Sequence, residues 1–131
     1  MPSENAADQF LHLLCHCIRA NPTTFVRVAD HDRVPAHRLL LGYYDEDYVY
    51  IRPEIFIPVF QFAVCGEIKV NIRKIMEQLF AMDLIKVHWI MTGECRYRPQ
   101  KRIGRTRKRY ITFDRRKLNK YFRSMHHKEA V

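Results

Sequence analysis

Ten consecutive residues, Lys101-Arg102-Ile103-Gly104-Arg105-Thr106-Arg107-Lys108-Arg109-Tyr110, include six cations and no acid. Guanidinium groups fork onto pairs of phosphate oxygens and fit narrow minor grooves. Tyr110, or Tyr97 upstream of it, offers a ring on which a base can stack. The chemistry open to such a run is the gripping of a polyanion. The plainer alternative is a solvated loop that touches nothing.

A second group lies on the polar side of a helix expected over residues 69–83. Asn71, Arg73, Lys74 and Gln78 are types that hydrogen-bond base edges and phosphates. Glu77 on the same side repels phosphate, and an ordinary solvent-facing surface explains the group equally well. Tyr43, Tyr44, Tyr48 and Tyr50 could stack on unpaired bases, but tyrosines at strand spacing more often pack across strands.

Catalytic chemistry finds less support. Asp30-His31-Asp32 and Asp45-Glu46-Asp47 could hold Mg²⁺ beside a nucleic acid. Both fall where turns are expected, and there aspartate favours hydrogen bonds to its own backbone. No G-x-S-x-G, H-E-x-x-H or glycine-rich phosphate loop occurs. His12-x-x-Cys15-His16-Cys17 resembles a metal cluster, yet on a helix Cys17 points away from His12 and His16. A tetrahedral shell would need Cys65, Cys95, His126 or His127 from elsewhere. The expectation is no catalysis, no cofactor and no metal, with reduced thiols.

Charge points the same way as the basic run. The 131 residues carry a net +9, and the distribution is uneven. Residues 96–131 hold fourteen Lys and Arg against Asp114 and Glu129, a net +12, while residues 1–95 sum to −3. Cations set against phosphates release condensed counterions, so nucleic acid is the natural partner. At 47% apolar and 28% charged, the composition is that of a globular domain. The length suits one domain, 1–131, with a core over about 5–114 and a basic C-terminal helix over 115–127. No apolar run is long enough to span a bilayer. Met1-Pro-Ser-Glu-Asn lacks the basic and apolar regions of a signal peptide, so a cytoplasmic chain with no membrane partner is expected.

The elements that must position these residues follow from periodicity. Ala7, Phe10, Leu11, Leu14, Cys17 and Ile18 make one stripe of a helix over 5–20, capped by Asn5 and stopped at Asn21-Pro22. Phe25-Val-Arg-Val suits a short strand, and residues 39–51 suit a hairpin around Asp45-Glu46-Asp47. A helix follows Pro53-Glu54, starting late or irregular because of Pro58, and Cys65-Gly66 ends it. In the helix over 69–83, Ile72, Ile75, Met76, Leu79 and Phe80 form the buried stripe. Residues 84–90 suit a single strand, with Leu84 and Trp89 in or beside the core. Residues 96–113 suit a basic hairpin turning near Gly104, whose arms lack an apolar face near the tip. Asp114 caps the last helix, with a stripe of Leu118, Tyr121, Phe122 and Met125.

Helix pair, strand and basic hairpin in that order outline an α+β winged-helix-type domain, with an N-terminal helix, an extra β-hairpin, a basic wing and a C-terminal helix. Leu41-Gly-Tyr-Tyr, Val49-Tyr-Ile, Pro53-Glu-Ile-Phe, Ile72-Arg-Lys-Ile-Met-Glu-Gln-Leu, Asp83-Leu-Ile and Lys101-Arg-Ile-Gly…Arg109-Tyr-Ile resemble the C-terminal winged-helix-type domain of helicase and primase-helicase proteins of phages and mobile genetic elements. The resemblance covers about residues 10–114. That family's domain follows an ATPase core, and no G-x-x-x-x-G-K-[ST] is present here. The resemblance therefore implies nucleic-acid engagement or docking to a replication partner, and not ATP hydrolysis.

The expected function is a non-catalytic nucleic-acid-binding module, for DNA before RNA, acting through Lys101, Arg102, Arg105, Arg107, Lys108, Arg109 and Tyr110 with Asn71, Arg73, Lys74 and Gln78 alongside. The alternative is a protein adaptor docking to a replication helicase, primase or polymerase.

Overall fold

Asn5 starts the first helix as expected: its side-chain oxygen accepts the Asp8 N–H at 2.8 Å. The computed structural model describes residues 5–35, 38–64 and 71–129, with side chains as far as Ser124. Helix α1 (Ala6–Ala20) ends where Asn21 N–H reaches the Cys17 carbonyl, just before Pro22. Its buried face is Ala7, Phe10, Leu11, Leu14 and Cys15. Cys17 and Ile18 lie at the margin of that core instead of inside it.

The chain then forms β1 (Phe25–Arg27), a 3-10 segment (Val28–Arg33), β2 (Gly42–Tyr44) and β3 (Tyr48–Ile51). Next come the helices α2 (Pro53–Ala63) and α3 (Ile72–Ala81). Strands β4 (Ile85–Lys86), β5 (His88–Trp89), β6 (Cys95–Arg96), β7 (Gln100–Ile103), β8 (Thr106–Arg109) and β9 (Ile111–Asp114) precede the last helix, α4 (Arg115–Glu129). The fold is α+β. One sheet has five strands in the order β1-β2-β3-β9-β4, parallel only between β1 and β2. Strands β5–β6 and β7–β8 form separate antiparallel pairs inserted between β4 and β9.

Register divides the sheet into two faces. Val49 opposes Phe113, Ile51 opposes Ile111 and Ile85 opposes Phe113, so all five side chains point to one side. They meet the apolar stripes of the helices: Phe10 of α1 edges against Phe56 and Phe60 of α2 at 4.9 and 5.2 Å, and Ile75, Met76 and Leu79 of α3 join them. Each such side chain, fully buried, contributes roughly 1.5–3 kcal/mol. Tyr43, Tyr50 and Thr112 occupy the opposite face, where Tyr50 and Tyr110 pack with Ile103 in a second small core. Tyr43, Tyr48 and Tyr50 thus pack on the face that the basic hairpin covers, while Tyr44 turns to the main core beside Arg27 and Arg115. Gly42 permits the close approach of β2 to β3, since a Cβ there would collide with the Tyr50 carbonyl.

Helix α4 is tied down at its start. Asp114 accepts the Lys117 N–H, Arg115 Nη1 donates to the Asp45 carbonyl at 2.8 Å, and Tyr121 donates to Asp8 of α1 at 2.8 Å. The Met125 side chain and the expected Cys65-Gly66 cap lie outside the described residues.

Several expectations need correction. Helix α2 starts at Pro53 and runs unbroken through Pro58, because Pro53 sits in the first turn, where proline is tolerated, and Pro58 is on the exposed side. The strand expected over 84–90 is two: past Lys86 the chain leaves β9 and pairs with β6. That departure removes Trp89 from the core. It sits on a two-stranded ribbon with no second layer over it and is 59% exposed. Phe80, expected in the buried stripe, is also part-exposed and rests its edge on Trp89. The basic hairpin is shorter than 96–113: its arms are 100–103 and 106–109, while β9 belongs to the main sheet. One apolar residue near its tip, Ile103, is buried, contrary to expectation.

Candidate nucleic-acid interface

The basic hairpin is held by side-chain alternation. Gln100 pairs with Arg109, Lys101 with Lys108, Arg102 with Arg107, and Ile103 with Thr106. Lys101 and Ile103 share one face, which docks on the tyrosine side of the sheet. Ile103 buries against Tyr50 and Tyr110, and the Lys101 ammonium lies 5.4 Å from the centre of the Tyr50 ring. The tip is a turn with Gly104 at φ +64°, packed against the His31 ring. The Tyr50 hydroxyl donates to Asp45 Oδ2 at 2.8 Å. Burial first, then the bond to Asp45 and the charge of that carboxylate, push the Tyr50 phenol well above its ordinary range.

Gln100, Arg102, Arg107 and Arg109 occupy the other face. With Lys86, His88, Ile90 and Arg96 from the edge of the sheet and the β5–β6 ribbon, they line a groove of about 590 Å³. Lys101 borders it too, which makes six cationic lining residues, and none is acidic. Arg102 stands directly across the ladder from Arg107. Two like charges about 5 Å apart repel by up to about 1 kcal/mol even in a water-like medium. Among the described residues, ion pairs join Asp30 to Arg33, Arg52 to Glu54, Arg73 to Glu77 and Lys117 to Asp83, and none reaches the hairpin. Arg96 and Arg109 also border a second recess of about 360 Å³, with Arg73 of α3, Glu94, Tyr97 and Arg98. The groove is therefore continuous in charge with the start of α3.

The expected site residues separate into those the fold leaves accessible and those it does not. Arg102, Arg105, Arg107, Lys108 and Arg109 are exposed, and Lys101 is half-buried beneath them. Lys74 is exposed, and Arg73 is held between Glu77 at 3.6 Å and the face of Tyr97. Tyr110 cannot stack on a base: at 3% exposure it is a core residue, edge-on to Tyr43 and Tyr50. Asn71 uses its side-chain oxygen to cap α3 through the Lys74 N–H at 3.2 Å, which ties its orientation to the helix start. Gln78 turns inward, with Oε1 buried and without a donor among the described residues.

Sequence reasoning missed Lys86, His88 and Arg96 as groove residues. Only the alternation Lys86-x-His88 hinted at a shared face, and the cross-strand pairing of His88 with Arg96 comes from the ribbon. The carboxylate clusters have local roles. Asp45 Oδ1 accepts the N–H groups of Asp47 and Tyr48, and Asp30 pairs with Arg33. Cys15 is buried, Cys17 half-buried and His16 exposed. Among the described residues, no three of His, Cys, Asp and Glu are grouped to hold a metal ion, and no helix is long and apolar enough to cross a membrane. Compared with protein-family models, curated proteins and solved structures, the chain matches none of them.

Proposed function

We propose that this chain is a non-catalytic nucleic-acid-binding module, for DNA before RNA, that grips phosphates in the groove beneath its basic hairpin. The observation that carries the proposal is Arg102 facing Arg107 across a ladder, with Lys86, Arg96 and Arg109 around them and no carboxylate on the wall. Such a cluster is a standing repulsion in the isolated protein, and a row of phosphates removes it while releasing counterions.

The architecture we assign is a winged helix. Connectivity supports it: α1, β3, α2, α3, β4, a long excursion, then β9 returning between β3 and β4. In this reading β3, β9 and β4 are the small sheet, α3 is the second helix of the pair, and residues 87–110 are an enlarged wing. We further propose that the module acts in replication or recombination within the cytoplasm, a reading drawn from the sequence resemblance to the C-terminal domain of phage and mobile-element helicases.

Binding titrated against salt tests the proposal. About five phosphate contacts give a slope of log affinity on log salt of roughly −3.5 to −4.5. Replacing Arg102, Arg107 and Arg109 by alanine removes about three contacts and flattens the slope by roughly two to three, with the circular dichroism spectrum unchanged. A protein that binds neither single strands nor duplex at low salt overturns the proposal and favours a protein adaptor docking to a helicase, primase or polymerase.

A further inference from the structure

We propose that Trp89, with Phe80 and Tyr97 behind it, is a stacking site for unpaired bases, so that the module prefers a single strand to a duplex. The inference rests on the phosphate-gripping role of the neighbouring groove and specifies its ligand. Trp89 lies on the β5–β6 ribbon opposite Cys95, and His88 lies opposite Arg96. The pleat sends His88 and Arg96 to the groove and Trp89 to the other face. Only the thickness of a two-stranded ribbon separates the basic groove from an exposed indole.

The indole is fixed without being covered. Phe80 meets Trp89 edge-on at 6.2 Å and Tyr97 edge-on at 6.3 Å. The Arg73 guanidinium lies 5.8 Å from the centre of the Tyr97 ring. A ring already held in place loses little freedom when a base lands on it. Contiguous exposed aromatic surface on a small domain marks a contact site. Its occupant follows from the charges at one end of the patch: Tyr97 lines a recess with Arg73, Arg96, Arg98 and Arg109, against Glu94 and a Glu77 that already faces Arg73. That setting suits a polyanion with flat apolar faces. A duplex keeps its base faces stacked inside, whereas an unpaired strand presents them. With the Asn71 oxygen capping α3 and the Gln78 oxygen buried, the helix offers little for reading base edges. Stacking, which tolerates any base, needs no such reading.

Trp89 is the only tryptophan in the chain, so its fluorescence reports the contact directly. A short oligothymidylate is expected to quench it, and a duplex of equal length to quench it far less. Measured by anisotropy, Trp89→Ala should weaken oligothymidylate binding roughly tenfold and lower the ratio of single-strand to duplex affinity by a similar factor, while Trp89→Phe keeps most of both. Comparing oligouridylate with oligodeoxyuridylate identifies the sugar, and stacking on either strand supports the proposal. Tight oligothymidylate binding without quenching, unaffected by Trp89→Ala, or equal affinity for duplex and single strand, overturns the stacking site while leaving the phosphate groove in place. Failure to bind any nucleic acid overturns both.

Discussion

The ring of His31 fills the space beside Gly104, so closely that a Cβ on Gly104 would stand 2.6 Å from His31 Nε2. His31 is itself anchored, its Nδ1 lying 3.0 Å from the Val28 carbonyl. The 3-10 segment after β1 therefore sets where the tip of the basic hairpin rests. The tip and the buried Ile103 behind it fix the height of the groove wall.

Gly104→Ala meets two penalties, a left-handed backbone and the His31 ring. The expected loss is about 1–2 kcal/mol from the backbone alone. Hydrogen exchange should show the 100–109 hairpin losing protection before the main sheet does. If the hairpin amides stay as protected as in the parent protein, the docking contact does not hold the tip.

Asp45 couples the β2–β3 turn to Tyr50 under the hairpin. Partial burial raises its carboxyl pKa, but the bonds from Tyr50, Tyr48 and Asp47 and the charge of Lys101 outweigh this and lower it overall. A lowered folded-state value means the stabilisation is complete above the ordinary carboxylate value of about 4 and fades as pH falls through the folded-state value. Asp45→Ala should cost about 1–3 kcal/mol at neutral pH by leaving the Tyr50 hydroxyl without its acceptor. Urea denaturation at a series of pH values should show the gap between variant and parent narrowing below about pH 4. A gap independent of pH would exclude the ionised pair as its source.

Asn71→Ala should cost about 1 kcal/mol as the α3 cap is lost. Because that oxygen is engaged with the Lys74 amide, selection from randomised oligonucleotides should return the same weak preference with and without the substitution. A shifted preference would mean that Asn71 leaves its cap to read a base.

Gln78→Met replaces a buried acceptor that lacks a donor among the described residues with an apolar chain of similar shape. Relief of that desolvation should raise stability by about 1 kcal/mol, seen as a higher thermal midpoint. A loss of nucleic-acid affinity in this variant would show that Gln78 turns outward on binding.

Local signals determined much of this molecule. The spacing of Ala7, Phe10, Leu11 and Leu14 dictates α1, and Ile75, Met76 and Leu79 dictate α3, because a period near 3.6 commits an apolar stripe to one side whatever it later packs against. Asn5, Asn71 and Asp114 cap their helices through bonds spanning three residues, which need no tertiary partner. The basic run and the charge split were likewise visible in the chain itself. Tertiary structure decided the rest. Trp89 and Tyr110 are both large aromatics in β-forming sequence, and nothing local distinguishes them. Tyr110 is buried because the strand after it enters the sheet and the hairpin before it folds back over the tyrosine face. Trp89 is exposed because β5 leaves β9 for a partner that adds no second layer. Burial depends on which surfaces meet, and strand partners distant in sequence settle that. The same holds for the groove, whose facing cations Arg102 and Arg107 acquire Lys86 and Arg96 as neighbours only once β4, β6 and the hairpin are assembled.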